Sequence, residues 1–391
     1  MTEHLHDDTP ADTDGDESML ADGPPLADGR NTAVASQWQL MWWKFRRHRL
    51  AMAGLTVVVI LYLIAAFAEF LAPFDPNSYD RKGGFHPPQA VHLIDRTEEG
   101  GLTIRPWVWE TELTRDPRTL VSTYQATGEK TYLRWFGEGD SYELWGLIPG
   151  NRHLLTPVDP DKRFYLLGAD RLGRDMLSRT IHGARLSLLI GLIGVAFSLV
   201  LGITLGGLAG YLGGWVDTVI SRSVELVLSL PTIPIWLALA AALPATWSTE
   251  TRYFFITLIV SLVGWTELAR VVRGRFMSLK NDDFVVAAVL DNAPQRRVIF
   301  RHMLPSLTSH IIASVTLAVP LMILAETSLS FLGLGLMPPA ISWGVLLKEA
   351  QDVRSIVLGP WLFAPGVAVV ITVLAFNFLG DGLRDAADPY N

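Results

Sequence analysis

Six long apolar blocks are the feature of this sequence that most restricts how the chain can fold. A bilayer core about 30 Å thick is crossed by about 20 apolar helical residues, and each block has roughly that length. The blocks cover residues 51–71, 186–211, 219–243, 253–272, 307–332 and 361–379. Only 18% of the residues are charged, against about 25% in soluble domains. We therefore predict an all-α polytopic membrane protein with six transmembrane helices.

Lysine and arginine, which are enriched in cytoplasmic loops, give the orientation of the blocks. Four of them precede the first block, and six lie between the fourth and fifth blocks: Lys44, Arg46, Arg47, Arg49, Arg273, Arg275, Lys280, Arg296, Arg297 and Arg301. Residues 171–185 are also basic, but they end a long translocated region, where this bias is weak. We expect both chain termini in the cytoplasm.

The first 37 residues have the composition of a disordered acidic tail. Nine carboxylates occur before Arg30 and apolar residues are few, so the segment cannot bury enough surface to offset its ordering entropy. We interpret it as a solvated cytoplasmic tail, and a regulatory or partner-binding tail is the alternative. Residues 38–72 then supply an amphipathic segment and the first transmembrane helix.

More than 100 residues separate the first two blocks, which is too long for a loop without structure of its own. Residues 101–113 and 130–148 alternate between apolar and polar positions, and residues 137–140 offer a hairpin turn. We predict a β-rich extracytoplasmic insertion at residues 73–165. Four tryptophans are interpreted as its core residues: Trp107, Trp109, Trp135 and Trp145. A surface that docks a soluble partner is the alternative, because aromatic residues are enriched in interface cores.

The loop between the fourth and fifth blocks carries the most informative pattern. Residues 284–290 form an apolar helical run too short to cross a bilayer, with Asp282 or Asp283 as its N-cap and Asn292 as its left-handed end. A second amphipathic helix is expected at residues 295–303. A short apolar helix held between two spans suits a groove in another protein, and a helix lying on lipid is the alternative.

The family resemblance begins in this loop, which contains Val286-Ala287-Ala288, Asn292 and Leu304-Pro305. It resembles the cytoplasmic coupling motif of permease subunits of binding-protein-dependent ABC importers, which is roughly Glu-Ala-Ala, three residues, Gly, about nine residues, an apolar residue and Leu-Pro. The family's glutamate and glycine are replaced here by valine and asparagine.

Three further segments are similar to the dipeptide/oligopeptide permease branch of that family. They are residues 166–191, residues 326–347 and residues 376–389. The resemblance implies a type I ABC importer permease-like fold, with residues 166–391 as the permease core and residues 281–305 as the cytoplasmic coupling loop.

The resemblance also implies a function. The chain would be a non-catalytic subunit in the bacterial inner membrane that forms half of the translocation pathway for short peptides, handed over by an extracytoplasmic solute-binding protein. Its partners would be a second homologous permease, two cytoplasmic ATPase subunits, the solute-binding protein and the lipid bilayer. Oligosaccharides or another medium-sized polar solute are the alternative cargo. An ion-coupled secondary transporter would need its own midplane site and internal repeats, which we do not find.

Cofactors are expected only in the partner subunits, where ATP and magnesium would be used. The chain has no G-x-x-x-x-G-K-[ST] phosphate loop, and its glycine-rich stretch at residues 206–214 lacks the lysine. It contains no cysteine, and His182 and His302 are isolated, so we predict no metal or catalytic site. The net charge of −7 argues against nucleic acid as a partner.

Two sets of candidate site residues follow from these patterns. The first would couple the chain to the ATPase: Phe284, Val286, Ala287, Ala288, Leu290, Asn292, Arg296, Arg297, Leu304 and Pro305. Within it, we expect groove-filling contacts from Phe284, Ala287, Ala288 and Leu290. Arg296, Arg297 and Arg301 would be either rim charges or contacts to lipid phosphates.

The second set would line or gate the pathway: Arg174, Asp175, Glu225, Pro231, Glu267 and Glu326. Ionisable residues inside membrane spans are functional candidates by default, and Arg270 and Asp381 belong to the same class.

Each member of the second set also has a structural interpretation. Glu267 could simply pair with Arg270, and Glu225 with Arg222, at helical spacing. Glu326 is more simply explained by a structural hydrogen bond, and Pro231 with Pro234 by a kink that frees backbone carbonyls. Arg174 would belong either to an amphipathic gate helix or to an interfacial support near lipid headgroups.

Overall fold

The computed structural model describes residues 37–96, 102–115, 122–244 and 246–387. The acidic tail expected at residues 1–37 lies outside the described residues except for its last position. The helices are α1 (Gln37–Arg47), α2 (Arg49–Ala66), α3 (Ala68–Leu71), α4 (Met176–Leu212), α5 (Gly214–Ser229), α6 (Thr232–Ala241), α7 (Thr249–Leu279), α8 (Asp283–Leu290), α9 (Gln295–Arg297), α10 (Leu304–Ser306), α11 (Thr308–Phe331), α12 (Trp343–Glu349), α13 (Val353–Leu358) and α14 (Ala364–Ala387).

Five helical segments of the described residues are long and apolar enough to cross a membrane. They are α2, α4, α7, α11 and the segment Pro360–Ala387 that contains α14. Helices α5 and α6 pass the same test together, but they are bent by 90° at their junction. Pro231 stands at this junction as the N-cap of α6, and proline lacks the N–H that a continuous helix needs. The predicted proline kink is confirmed, and it is a complete break between two helices.

Helix α4 is longer than the apolar block that predicted it. The block begins at residue 186, whereas the helix begins at Met176 and runs for 37 residues. The additional turns are polar because they pack against protein: Arg179 and Ser178 are buried there. The helix therefore extends ten residues before the apolar block, and hydropathy marks only its apolar part.

Helices α4 and α7 run parallel and in close contact. Gly194 lies against Ser261, Gly206 against Ala269 and Gly210 against Arg273. A Cβ atom at Gly206 would collide with the Ala269 carbonyl oxygen, so only glycine permits this backbone approach. Around this pair, α2 and α11 pack on α14, and α11 also packs on α4. The largest apolar core lies between these helices and includes Ile190, Val260, Ile323, Trp343 and Phe376.

Residues between α3 and α4 form strands, in two sheets. The strands are β1 (His92–Arg96), β2 (Leu102–Arg115), β3 (Ser122–Trp135), β4 (Glu138–Leu144), β5 (Ile148–Arg152) and β6 (Leu155–Pro157). One antiparallel sheet has the order β1-β2-β3-β6, and β4 pairs with β5 in the other. Phe74, Val108, Leu133, Leu155 and Phe164 form the core of this region.

Two predictions about the strand region need correction. The turn expected at residues 137–140 is wrong, because β4 pairs with β5 and the hairpin turn lies at residues 145–147. Positive φ angles at Trp145 (56°) and Gly146 (67°) match the geometry of a tight hairpin connection. Of the four tryptophans expected in the core, only Trp107 is buried, and the others are exposed. Trp135 ends a strand and Trp145 lies in the turn, where sheet packing does not cover a side chain.

Candidate functional site

The short apolar helix predicted between the fourth and fifth blocks is α8. It runs from Asp283 to Leu290 with Asp282 at the N-cap position, although the Asp282 side chain makes no capping hydrogen bond. Asn292 has a φ of +58°, so the predicted left-handed residue is present. Its backbone N–H donates to the Val289 carbonyl at 3.0 Å. The turn at Asn292 reverses the chain and fixes the length of α8 at two turns.

One side of α8 packs against the rest of the protein. Val285 is fully buried with Phe276, Val298 and Met303, and Ala288 packs against the same cluster. Ala288, expected to fill a groove in a partner, therefore contacts this chain's own core. The cluster joins α8 to the end of α7 and to the segment before α11, so the helix is held in place by apolar burial.

The other side of α8 is apolar and exposed, and we call it the α8 face. It consists of Phe284, Val286, Ala287, Val289 and Leu290. Leu290 is 82% exposed. Val289 was not among the candidates. Almost all eight residues of α8 are apolar, so no alternation of polar and apolar residues indicates which side of the helix is buried. Contiguous exposed apolar side chains mark interaction sites.

Basic side chains border the α8 face. Residues 295–303, expected as one amphipathic helix, are α9 followed by a π-helix over Val298–Met303. Arg296, Arg297 and Arg301 are exposed and form no ion pair with any described residue. Leu304 is half-buried and Pro305 exposed within α10. Asp282, Asp283 and Asp291 at the ends of α8 are exposed too, so charges of both signs flank the apolar patch.

Three ionisable candidates, Glu225, Glu267 and Arg270, lie on α5 and α7. Glu225 accepts a hydrogen bond from Arg222 at 2.6 Å, as its spacing predicted. Glu267 and Arg270 are exposed on α7 and form no ion pair with each other among the described residues, so the local pairing expected for them is wrong. A cavity of about 180 Å³ is lined by Gly206, Ser221, Glu225, Arg270 and Arg273, among others.

Glu326 is fully buried within α11 and joins three elements. Its Oε1 accepts hydrogen bonds from Ser330 Oγ and Ser342 Oγ, each at 2.8 Å, and its Oε2 from Ser187 Oγ at 3.4 Å. Ser187 lies in α4, and Ser342 is the N-cap of α12. Serine hydroxyls satisfy a buried carboxyl without a counter-ion. Ser187 and Ser342 could not be predicted as partners of Glu326, because they lie 139 and 16 positions away in the chain.

The far end of α4 carries an ion cluster of four residues, which are Asp170, Arg174, Arg179 and Glu349. Arg174 Nε donates to Asp170 Oδ2 at 2.6 Å, and its Nη2 donates to Glu349 Oε2 at 3.0 Å. Arg179 Nη2 donates to Glu349 Oε1 at 3.2 Å, and its Nη1 lies 3.3 Å from Asp170 Oδ2. The Asp170 and Arg179 side chains are almost fully buried. Two cations and two anions thus neutralise each other and join the start of α4 to α12.

The segment Gly173-Arg174-Asp175 forms the turn and cap of α4, and the described residues 158–175 before it contain no amphipathic helix. Arg174 lies in a turn and pairs with protein carboxylates, so the gate helix expected there is wrong, and a position near lipid headgroups stays a prediction. Gly173 has a φ of +75°, and a Cβ there would collide with the Asp80 carbonyl. Asp175 Oδ2 accepts hydrogen bonds from Ser178 N at 2.7 Å and Ser178 Oγ at 2.6 Å. Burial raises the pKa of Asp175 to about 6.

Two family models match this chain, one over its C-terminal half and one near its N-terminus. Residues 202–390 match the family described as "Binding-protein-dependent transport system inner membrane component". Residues 36–88 match the family described as "N-terminal TM domain of oligopeptide transport permease C".

Individual relatives extend this similarity. The oligopeptide transport system permease protein OppC of Haemophilus influenzae is 38% identical over 238 residues, which cover 61% of this chain and 74% of the relative. The dipeptide transport system permease protein DppC of Bacillus subtilis is 30% identical over 93% of this chain and 89% of its own length. A solved structure of the MetNI methionine ABC transporter superposes with a TM-score of 0.42 at 16% identity, covering 55% of this chain and 98% of that one.

Proposed function

The chain belongs to the family of inner-membrane components of binding-protein-dependent transport systems, in its oligopeptide and dipeptide permease branch, and we propose that it forms half of a translocation pathway for short peptides. The branch membership carries this proposal, since relatives aligned over most of their length are named as peptide permeases. The chain acts as a non-catalytic transport subunit of the membrane.

The proposed fold is that of a type I ABC importer permease with six crossings. Five single helices and the broken pair α5–α6 supply the six. With six crossings, the basic segments before α2 and after α7 fall on one side, which we assign to the cytoplasm. Both termini then lie in the cytoplasm, and the strand region lies outside.

The proposed partners are a second permease subunit, two ATPase subunits and a solute-binding protein. The α8 face is the contact to an ATPase subunit: it is apolar, exposed and bordered by Arg296, Arg297 and Arg301, while Val285 ties its helix to the core. An ATPase can shift the permease between two conformations only through contacts that differ between them. Movement at α8 reaches α7 and α11 through the buried cluster that they share.

ATP and magnesium are used in the ATPase subunits. In the permease, the pathway candidates are the exposed Glu267 and Arg270 on α7 and Glu225 on α5. Exposed charges on helices that cross a membrane face water or a partner and not hydrocarbon.

Transport in reconstituted vesicles tests the proposed substrate. The chain is co-purified with its ATPase subunits, its second permease and its solute-binding protein, and uptake of labelled di- and tripeptides is compared with uptake of labelled oligosaccharides. ATP-dependent accumulation of peptides supports the proposal. Accumulation of oligosaccharides but not of peptides contradicts it.

Crosslinking tests the coupling contact. Because the chain has no cysteine, Leu290→Cys and Val353→Cys each create a single attachment site for a photoreactive maleimide. The two positions are similarly exposed, at 82% and 73%, but Val353 lies in α13 beyond the ion cluster. We expect an ATPase adduct from residue 290 and none from residue 353. Lipid adducts alone at residue 290 would assign α8 to the membrane surface.

A further inference from the structure

The tip of the β4–β5 hairpin is an exposed apolar surface with no role in the function proposed above. The six residues 144–149 (LWGLIP) contain no charged side chain. Leu147, at the turn, is 82% exposed, and Trp145 and Ile148 are also exposed. A half-exposed tryptophan beside two exposed aliphatic side chains marks a surface suited to an apolar partner outside the described chain.

The hairpin tip lies against the end of a membrane-crossing helix. Trp145 Nε1 donates a hydrogen bond to the carbonyl of Ala66, the last residue of α2, at 3.0 Å. The guanidinium of Arg185, in α4, lies 4.3 Å from the centre of the Trp145 ring, and Arg185 also pairs with Glu69 at 2.5 Å. The tryptophan therefore sits where apolar helix gives way to charged side chains.

An exposed apolar stripe on α2 leads to this position. Val59, Ile60, Leu63 and Phe67 are exposed, and because Ile60, Leu63 and Phe67 are spaced by three and four residues, with Val59 four before Leu63, they lie along one side of the helix and its C-cap. Phe67 is the residue after Ala66, to which Trp145 is bonded. The hairpin tip thus continues the surface that α2 turns toward its surroundings, and in a membrane those surroundings are lipid.

A second aromatic contact extends the same surface. Phe136, which follows β3, is exposed, and its ring stacks on that of Phe70 in α3 with centroids 6.0 Å apart. Phe136 and Trp145 both have positive φ angles, of 53° and 56°. Bulky residues rarely adopt this conformation, and here it occurs at the two aromatic side chains directed at the end of the first crossing helix.

We propose that the β4–β5 tip enters the lipid bilayer at the level where α2 ends and anchors the strand region to the membrane surface. Trp145 then lies in the interfacial layer, which favours an aromatic ring with a polar N–H, and Leu147 and Ile148 reach the acyl chains. Lipid is the occupant because the patch is uncharged and continuous with the exposed stripe of α2. The strand region is thereby held in one orientation above the translocation pathway.

Depth-dependent quenching tests this proposal in the purified transporter reconstituted into liposomes. A bimane fluorophore is attached to Leu147→Cys, and as a matched control to Ile104→Cys, which is 87% exposed on β2. We expect brominated phospholipids to quench bimane at residue 147 at least about threefold more than at residue 104, and aqueous iodide to show the reverse order. Equal quenching by iodide at the two positions would overturn the proposal.

A crosslink separates lipid from a protein occupant. A photoreactive maleimide at residue 147 should give lipid adducts in the assembled transporter, and a specific adduct with the second permease or the solute-binding protein would overturn the proposal. The double variant Leu147→Ser, Ile148→Ser should retain the fold, because both side chains are exposed, and should lose the lipid quenching of a bimane attached to Pro149→Cys. Both readouts are independent of transport, so they remain informative if the proposed substrate is wrong.

Discussion

The ion cluster and the α8 face lie at opposite ends of α4, and they differ in how far their side chains are buried and paired within the chain. In the cluster, Asp170 and Arg179 are buried, Arg174 and Glu349 are half-buried, and the four charges pair with one another. At the α8 face, apolar side chains are exposed and the neighbouring arginines make no ion pair among the described residues. The ion cluster pairs its charges within the chain, whereas the α8 face leaves apolar side chains uncovered, as the proposed contact to an ATPase subunit requires. Substitutions at the two ends should therefore fail in different assays.

The largest effect on stability is expected from Glu349→Gln. It removes one anion from between two arginines and leaves buried positive charge uncompensated, which costs about 3 kcal/mol or more. The midpoint of thermal unfolding of the purified transporter measures the loss.

A matched control for this prediction is Glu225→Gln. The Arg222–Glu225 pair has a shorter contact, 2.6 Å, but its side chains are 78% and 58% exposed, and exposed pairs contribute about 0–1 kcal/mol. If the two variants unfold at the same temperature, the buried ion cluster stabilises the protein no more than an exposed ion pair does.

The largest effect on activity is expected from Ala287→Glu. A carboxylate on the α8 face would be desolvated without a partner in an apolar contact, so we expect ATP-driven uptake to fall at least about tenfold, equivalent to about 1.4 kcal/mol. The unfolding midpoint should not change, because Ala287 is exposed.

Ala287→Ser is the control for size and polarity without charge, and it should keep most of the uptake. Normal uptake by Ala287→Glu would show that the α8 face has no coupling role. Loss of uptake together with a lowered unfolding midpoint would show that the residue is structural.

A smaller effect is expected from acidification at His86, on the same side as the ion cluster. Burial lowers the pKa of His86 below 6.5. Its Nδ1 donates to the Pro87 carbonyl at 2.7 Å, and its Nε2 contacts Thr111 Oγ1 at 2.5 Å. The rings of Tyr124 and Tyr165 flank the imidazole ring. Because the unfolded chain binds the proton more readily, stability is complete above pH 6.5 and falls below it, by at most about 1.4 kcal/mol per pH unit.

Unfolding midpoints between pH 7.5 and 5 for the wild type and for His86→Gln measure this term. The variant should lose less stability on acidification. Asp175 acts in the opposite direction, since its raised pKa of about 6 adds stability as the pH falls from 6 toward 4, and the comparison of the two proteins cancels its contribution. Identical pH profiles would contradict the prediction.

The smallest effect is expected from charge reversal beside the α8 face. In Arg296→Glu, Arg297→Glu, a rim contact to a partner protein predicts a loss of ATPase affinity of a few fold that shrinks at high salt. A contact to lipid phosphates predicts unchanged affinity but weaker dependence of activity on anionic lipid. Titration of ATPase subunits into vesicles with and without anionic lipid distinguishes these two roles.

Features that depend on local sequence could be predicted, whereas contacts between distant segments, such as the ion cluster, could not. Hydropathy predicted α2, α7 and α11 because a helix that faces lipid must be apolar over the bilayer thickness. Asn292 and Pro231 were predictable because one residue's backbone preference decides the local conformation. The ion cluster was not, since Arg174 and Glu349 are separated by 175 positions and only the packing of α4 on α12 brings them together.

Within the candidate site, the position of α8 could be predicted from the sequence, but which of its side chains are buried could not. Nearly every residue from Phe284 to Leu290 is apolar, so no polar period marks which side is buried, and Ala288 was assigned outward although it packs inward. In the strand region, alternation identified strands, but register depends on where the turn forms. Trp145 and Gly146 adopt the turn conformation, and no pattern in the sequence singled them out.

The continuity of α4 has a mechanical consequence. At 1.5 Å per residue its 37 residues form a rod about 55 Å long, pinned at one end by the carboxylates around Arg179 and free of that clamp at Gly213. If the pinned end acts as a pivot, a tilt of about 5° displaces the opposite tip by about 5 Å, close to the pitch of one helical turn. Such a tilt would move the Gly213 end by several ångströms while leaving the residues of the ion cluster almost in place.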